Sequence, residues 1–115
     1  MFFKNAAALA RFSPAKMGKT TLASGETLFA GLNSFEPGQE HAMHAHAGQD
    51  KLYIVLQGEA TVQVGDSVEQ LRQGDAAFAP SGVPHGIRNV GTVNASYFAV
   101  TSPGDYQKVL VDRPA

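Results

Sequence analysis

The chain of 115 residues contains no cysteine and no tryptophan, and only 17% of its residues are charged. Without cysteine there can be no disulfide and no thiolate ligand, so any bound metal must be held by nitrogen and oxygen atoms. The net charge of −1, with basic residues scattered along the chain, lacks the concentrated positive charge expected of a nucleic-acid-binding protein. No apolar stretch approaches the roughly 18 residues that a membrane span requires.

Common enzyme signatures are also missing. The glycines separate apolar segments instead of forming a phosphate-binding loop, and there is no Gly-x-Ser-x-Gly nucleophile motif. The amino-terminal apolar run over residues 6–10 is too short for the core of a secretory signal. We therefore predict a cytoplasmic protein with one domain over residues 1–115, a length that suits a single domain.

Short strand patterns divided by glycine-containing turns dominate the sequence. Their even spacing favours an all-β sandwich or barrel. A weak helical pattern covers residues 6–11, and residues 64–67 predict a tight hairpin with a primed turn. Residues 52–56 are apolar on both faces, which predicts a sheet that also packs against something outside the barrel. The predicted strands cover residues 27–35, 40–46, 51–57, 60–64, 67–71, 75–79, 85–90 and 95–101.

Three histidines are the most informative residues. His44 and His46 have the spacing that places two side chains on the same face of a strand. His85 belongs to a later predicted strand and is expected to face them. Imidazole nitrogens suit a divalent transition metal. His41 has the opposite parity, so we expect it to face away, at the surface.

These histidines lie in two glycine-bounded motifs. The first, over residues 38–58, reads Gly38-x5-His44-x-His46-x4-Lys51-x6-Gly58. The second, over residues 74–89, reads Gly74-x5-Pro80-x-Gly82-x2-His85-x3-Asn89. Together they resemble the two signature motifs of the cupin superfamily, in particular its small single-domain bacterial members. The resemblance implies an all-β fold, a double-stranded β-helix or jelly-roll barrel, with residues 1–24 packing on their own barrel or on a partner.

The first motif departs from the family at one position, because Lys51 stands where cupins usually carry a glutamate ligand. A protonated lysine has no lone pair to offer a metal. Three alternatives remain open for the fourth ligand. A bulge could bring Asp50 inward, and its parity with Leu52 and Ile54 favours this. Gln49 offers a neutral oxygen. Otherwise the site has three histidines and water, with Lys51 turned outward.

The remaining motif residues and nearby aromatic residues complete the predicted site. Pro80 and Gly82 are expected to shape the turn that presents His85, and Asn89 to hold a backbone turn or to support a ligand. Arg88 is placed on the outer face by its parity. The residues predicted to line a largely apolar pocket are Tyr53 and Phe78, with Phe35 and Phe98 behind them.

The resemblance implies a metal-binding protein for a small-molecule ligand, with the metal held by His44, His46 and His85 and with Asp50 as the candidate fourth ligand. Nitrogen and oxygen ligation is compatible with Fe, Mn, Ni, Zn, Co or Cu. The first hypothesis is a metal-dependent enzyme, of dioxygenase or isomerase/lyase type, acting on a small oxygen-rich molecule, with catalytic residues unidentified. The alternative, motivated by Lys51, is a non-catalytic binding or sensing cupin with a weakened or absent metal site. A metal-free epimerase-like cupin is a weaker third hypothesis. We expect a homodimer, without nucleic-acid or membrane partners.

Overall fold

The computed structural model describes residues 1–104, so residues 105–115 of the predicted domain lie outside the described part. Within it the chain forms nine strands and one short 3₁₀ helix, Ala6–Leu9. The strands are β1 (Gly18–Ser24), β2 (Phe29–Phe35), β3 (Glu40–His44), β4 (Asp50–Gln57), β5 (Glu59–Val64), β6 (Ser67–Arg72), β7 (Ala76–Ala79), β8 (His85–Arg88) and β9 (Ala95–Ser102). No helix among the described residues is long and apolar enough to cross a membrane.

Two antiparallel sheets face each other. One has the strand order β1-β2-β9-β4-β7 and the other has the order β3-β8-β5-β6. This architecture confirms the predicted all-β double-stranded β-helix. The core lies between the sheets, where side chains from both inner faces pack, and its buried members are Phe35, Tyr53, Val55, Ala60, Val62, Ile87, Tyr97 and Ala99.

All eight predicted strands are present, with shifted ends. Strands β3 and β8 each end two residues earlier than predicted, at His44 and Arg88. The hairpin between β5 and β6 is confirmed: Val64 pairs with Ser67, and Gly65 has the positive φ of 58° that a primed turn requires. The helical pattern over residues 6–11 yields only the 3₁₀ turn. Strand β1 was missed because it is stabilised by pairing with β2, which a local pattern does not reveal.

The amino-terminal segment packs on its own barrel. Strand β1 forms the edge of the five-stranded sheet, and the 3₁₀ helix lies against β4. The backbone N–H of Arg11 donates to Ser34 Oγ at 3.3 Å, and Gln39 Nε2 donates to the carbonyl oxygen of Ser13 at 2.7 Å. These bonds hold residues 11–13 near one end of β2.

Candidate functional site

The structure brings the three predicted histidines together at one end of the barrel. His44 on β3 pairs directly with His85 on β8, and their ring centroids lie 4.3 Å apart. His46 follows the end of β3 and is exposed, with its ring centroid 4.9 Å from that of His44 and 6.2 Å from that of His85. The turn of the second motif reaches this loop, because the Gly82 N–H donates to the His46 carbonyl oxygen at 3.1 Å.

Backbone contacts fix the tautomers of two of these rings. Nδ1 of His44 lies 2.8 Å from the carbonyl oxygen of Ala42, and Nδ1 of His85 lies 3.0 Å from that of Val83. A carbonyl only accepts, so each Nδ1 carries the proton and each Nε2 keeps its lone pair. Both Nε2 atoms are buried without a hydrogen-bond partner. Two free imidazole lone pairs therefore face the inside of the barrel.

This donor set fits a transition metal in its chemistry. Histidine ligands of metals commonly donate their other ring N–H to a backbone carbonyl, which orients the ring, and His44 and His85 both do so. Within residues 1–104, however, no three histidine or carboxylate side chains are arranged closely enough to hold a metal ion as they stand. Of the three proposed ligands, His46 is the least well directed toward a common metal position, because it lies beyond the end of β3.

His41 belongs to the same cluster, contrary to the expectation that it faces away. The pairing of β3 with β8 shifts register between His41 and His44, which resets the alternation of side chains along β3. The ring of His41 consequently stacks on that of His44, with centroids 4.2 Å apart. Its predicted surface position is therefore wrong, because strict alternation does not continue through a bulge.

Lys51 points into the barrel, so the outward orientation that accompanied the three-histidine alternative is wrong. It shares the inner face of β4 with Tyr53 and Val55, and only 8% of its surface is exposed. Its Nζ lies 5.1 Å from the centroid of the Tyr53 ring. Burial lowers the pKa of Lys51 from 10.5 to about 8, and the positive charge of Lys19 adds to the effect.

Neither oxygen ligand proposed from the sequence lies with the histidines. Asp50 is exposed, and its Oδ1 accepts the backbone N–H of Ser81 at 2.9 Å. The parity argument for Asp50 is therefore wrong, since the residues that alternate with it face outward. The Gln49 side chain donates to the carbonyl oxygens of Pro103 and Gly104. The described structure therefore places histidines and a lysine at the site, without a carboxylate.

The local environment favours the neutral form of His41, His44 and His46. Burial lowers the pKa of His41 to about 3, and the charges of His44 and Lys51 contribute further. Burial also lowers the pKa of His44, where the bond to Ala42 opposes the shift, and that of His46, where Lys51 adds to it. A neutral imidazole is the form that binds metals.

The four aromatic residues predicted to line the pocket have different positions. Tyr53 is fully buried with its ring centroid 6.0 Å from that of His85, so it lies beside the site. Phe35 stacks on Tyr97 at 5.3 Å and belongs to the core below. Phe78 is 54% exposed, so its predicted pocket position is wrong. Phe98 pairs with Ile54 across β9 and β4 on the outer face, so it does not line the pocket either.

Two other residues of the second motif have structural roles. Asn89 is 1% exposed, and its Nδ2 donates to the carbonyl oxygens of Phe35 and Val93 while its Oδ1 accepts the N–H of Gly91. It holds a backbone turn, which was one of its two predicted roles. Gly86 was not predicted to matter: an added Cβ would lie 3.1 Å from the backbone nitrogen of Met43. A glycine inside a strand often marks such a close approach.

A cavity of about 600 Å³ opens beside the histidine cluster. It is formed by residues 11–13 and 15–19 together with His41, and its charged side chains are Arg11, Lys16 and Lys19. The sequence alone does not connect these basic residues with the histidines, since no motif contains both. Packing of the amino-terminal segment and β1 is what brings them to the site.

Comparison with known proteins agrees with this fold. The cupin domain family matches residues 31–101. An oxalate-binding protein of Thermotoga maritima is 29% identical over 84 residues, which are 73% of this chain and 69% of that protein.

Two solved structures have the same fold. The TT1209 protein of Thermus thermophilus is 42% identical with a TM-score of 0.85, over 90% of this chain and 98% of that one. A Klebsiella pneumoniae protein with a double-stranded β-helix domain is 28% identical with a TM-score of 0.82, over 90% and 85% of the two chains. On the family match and these structural similarities, the chain belongs to the cupin family.

Proposed function

We propose that this cupin binds a divalent transition metal through His44, His46 and His85 and uses it on a small oxygen-rich molecule. The observation that carries the proposal is the pair of buried Nε2 atoms of His44 and His85, which have no partner while each Nδ1 is held by a backbone carbonyl. A metal at this position would supply Lewis acidity toward an oxygen-bearing ligand. His46, in its exposed loop, is the third ligand of the proposal.

The proposed activity is metal-dependent catalysis of dioxygenase or isomerase/lyase type. The name of the Thermotoga relative supports a small, oxygen-rich ligand, because oxalate is one. The chain's own residues would exclude water and orient the ligand: Tyr53 closes the inner wall beside His85. Burial raises the pKa of Tyr53 well above its usual value, so its hydroxyl remains a hydrogen-bond donor at neutral pH.

One observation favours a second function, a non-catalytic binding protein. Lys51 is buried at the glutamate position, while Asp50 accepts the backbone N–H of Ser81 and Gln49 donates to the carbonyl oxygen of Pro103, so neither candidate oxygen ligand is directed at the histidines. Measuring substrate turnover by the metal-loaded protein distinguishes the enzyme from the non-catalytic binding protein.

The proposal also includes a homodimer formed through the outer face of the five-stranded sheet. Phe78, which is 54% exposed, and the partly exposed Leu52, Ile54 and Phe98 lie on this face. Apolar surface of this kind is typical of an interface between subunits. The cytoplasmic location predicted from the sequence is part of the same proposal.

The metal is tested by elemental mass spectrometry of the protein after loading with individual divalent ions. We expect about one metal per chain, its loss in a His44→Ala, His85→Ala double variant, and its retention in His41→Gln. The last variant is the matched control, because it removes an imidazole from the same cluster without removing a proposed ligand. A double variant that retains the metal would contradict the proposal.

A further inference from the structure

We propose that Lys51 binds the anionic group of the ligand, so that the site selects a small carboxylate anion. This inference deepens the proposed function and rests on it for the position of the ligand beside the histidines. The lysine then occupies the position of the usual protein carboxylate, and the ligand supplies the negative charge of the site.

The position of Lys51 supports a binding role. With 8% of its surface exposed, it lies on the inner face of β4 beside Tyr53, whose ring centroid is 6.0 Å from that of His85. Its ammonium nitrogen contacts the Tyr53 ring face at 5.1 Å. No carboxylate forms a salt bridge with it in the part of the chain that the structure describes. A buried charge is costly unless it is paired, so an ammonium in this position favours an anionic partner.

The charged side chains that line the cavity beside His41, here called the entrance, have the same sign. Lys19 pairs with Asn33 in the ladder of β1 and β2, which places it on the inner face of the sheet beside the entrance. Arg11 and Lys16 line the cavity of about 600 Å³ next to His41, and no acidic residue lines it. A cleft lined by one sign of charge concentrates ligands of the opposite sign. The whole entrance therefore favours an anion over a neutral molecule.

The chemistry of the site favours a compact oxyanion with more than one oxygen. One oxygen would accept a hydrogen bond from the Lys51 ammonium while others remain free to face His44 and His85. Organic carboxylates and inorganic phosphate share this chemistry, and we commit to the carboxylate because its oxygens lie in one plane, so that one can face Lys51 while another faces the histidines. Separate binding experiments with oxalate and with inorganic phosphate distinguish the two.

Isothermal titration calorimetry of oxalate and of phosphate into the full chain, with and without loaded metal, tests the proposal. We expect oxalate to bind more tightly than phosphate, and Lys51→Gln to weaken oxalate binding by about 10- to 100-fold, the usual contribution of a charge-assisted hydrogen bond. Lys51→Glu should abolish oxalate binding and increase metal affinity, because it restores a carboxylate ligand.

Arg72→Gln is the matched control, since it removes the same charge at a distance. Arg72 pairs with Glu59 at one end of β5, whereas His85 pairs with Val64 at the other, about 17 Å away along the strand. We expect oxalate affinity to be unchanged in this variant. Equal oxalate affinity in Lys51→Gln and wild type would overturn the proposal, as would absence of oxalate binding or tighter binding of phosphate.

Metal content, measured on the same samples, separates this proposal from the proposed function. A protein that takes up no metal on loading, and whose oxalate binding still depends on Lys51, contradicts the metal site and supports the anion site. A protein that takes up metal and binds oxalate equally well after replacement of Lys51 supports the metal site and contradicts the anion site.

Discussion

Replacing Lys51 by methionine should stabilise the protein, although it removes a charge at the proposed binding site. Burial lowers the pKa of Lys51 from 10.5 to about 8. At about 1.4 kcal/mol for each pKa unit, keeping this lysine protonated in the folded chain costs about 3.5 kcal/mol. The contact with the Tyr53 ring, 5.1 Å away, offsets this by about 0.5–1 kcal/mol. Methionine has a similar apolar stem, so we expect Lys51→Met to raise the free energy of unfolding by about 2.5–3 kcal/mol at pH 7.

The pH dependence of the free energy of unfolding provides a second test of this prediction. Between pH 8 and pH 10.5 the unfolded chain keeps the proton on Lys51 while the folded chain has lost it. The unfolded state then binds more protons, so the stability of the wild type rises with pH across this window. Since methionine does not titrate, the advantage of Lys51→Met should shrink between pH 7 and pH 10.

Urea unfolding of both proteins at pH 7 and pH 10, in the presence of a chelator, measures these effects without metal. Lys4→Met is the matched control, because Lys4 is exposed and its replacement should change stability by less than about 0.5 kcal/mol. The reasoning is refuted if Lys51→Met is less stable than the wild type at pH 7. A stability difference that is identical at both pH values would also refute it.

Three further predictions concern the fold and the assembly. Asn89→Ala removes one buried and two partly buried hydrogen bonds and should lower stability by about 3 kcal/mol in urea unfolding; a loss below about 1 kcal/mol would contradict its role in the turn. Gly58→Ala should lower the melting temperature, because φ is 71° and the new Cβ would lie 2.5 Å from the Asn94 carbonyl oxygen; an unchanged melting temperature would contradict this close contact. Phe78→Glu should convert a dimer into a monomer in light scattering, whereas Val68→Glu, equally exposed on the other sheet at 53%, should not; the same result for both would contradict the proposed interface.

The sequence predicted the elements that depend on local patterns. Period-two spacing and glycine turns were sufficient for eight strands, and motif spacing was sufficient to bring His44 near His85. Strand β1 depends on pairing with β2, which is a non-local property. The position of His41 depends on a bulge in β3, which no feature of residues 40–46 signals.

The orientation of β4 shows a different limit. Motif spacing placed Lys51 at the position of the usual glutamate ligand, and the three-histidine alternative turned it outward, because a protonated lysine cannot bind a metal. The structure buries Lys51 and leaves Asp50 at the surface, bonded to Ser81. The face of a strand is decided by the packing of all its side chains, and here Tyr53 and Val55 take the core positions and carry Lys51 inward with them.

The central claim is that His44 and His85 bind a metal through the nitrogen atoms left free by their backbone contacts. Anomalous diffraction from crystals of the metal-loaded protein tests it most directly. The account predicts one strong peak about 2.1 Å from Nε2 of both residues, with His46 turned toward it. A peak at another position, or no peak in crystals of a protein loaded with metal, would contradict the account.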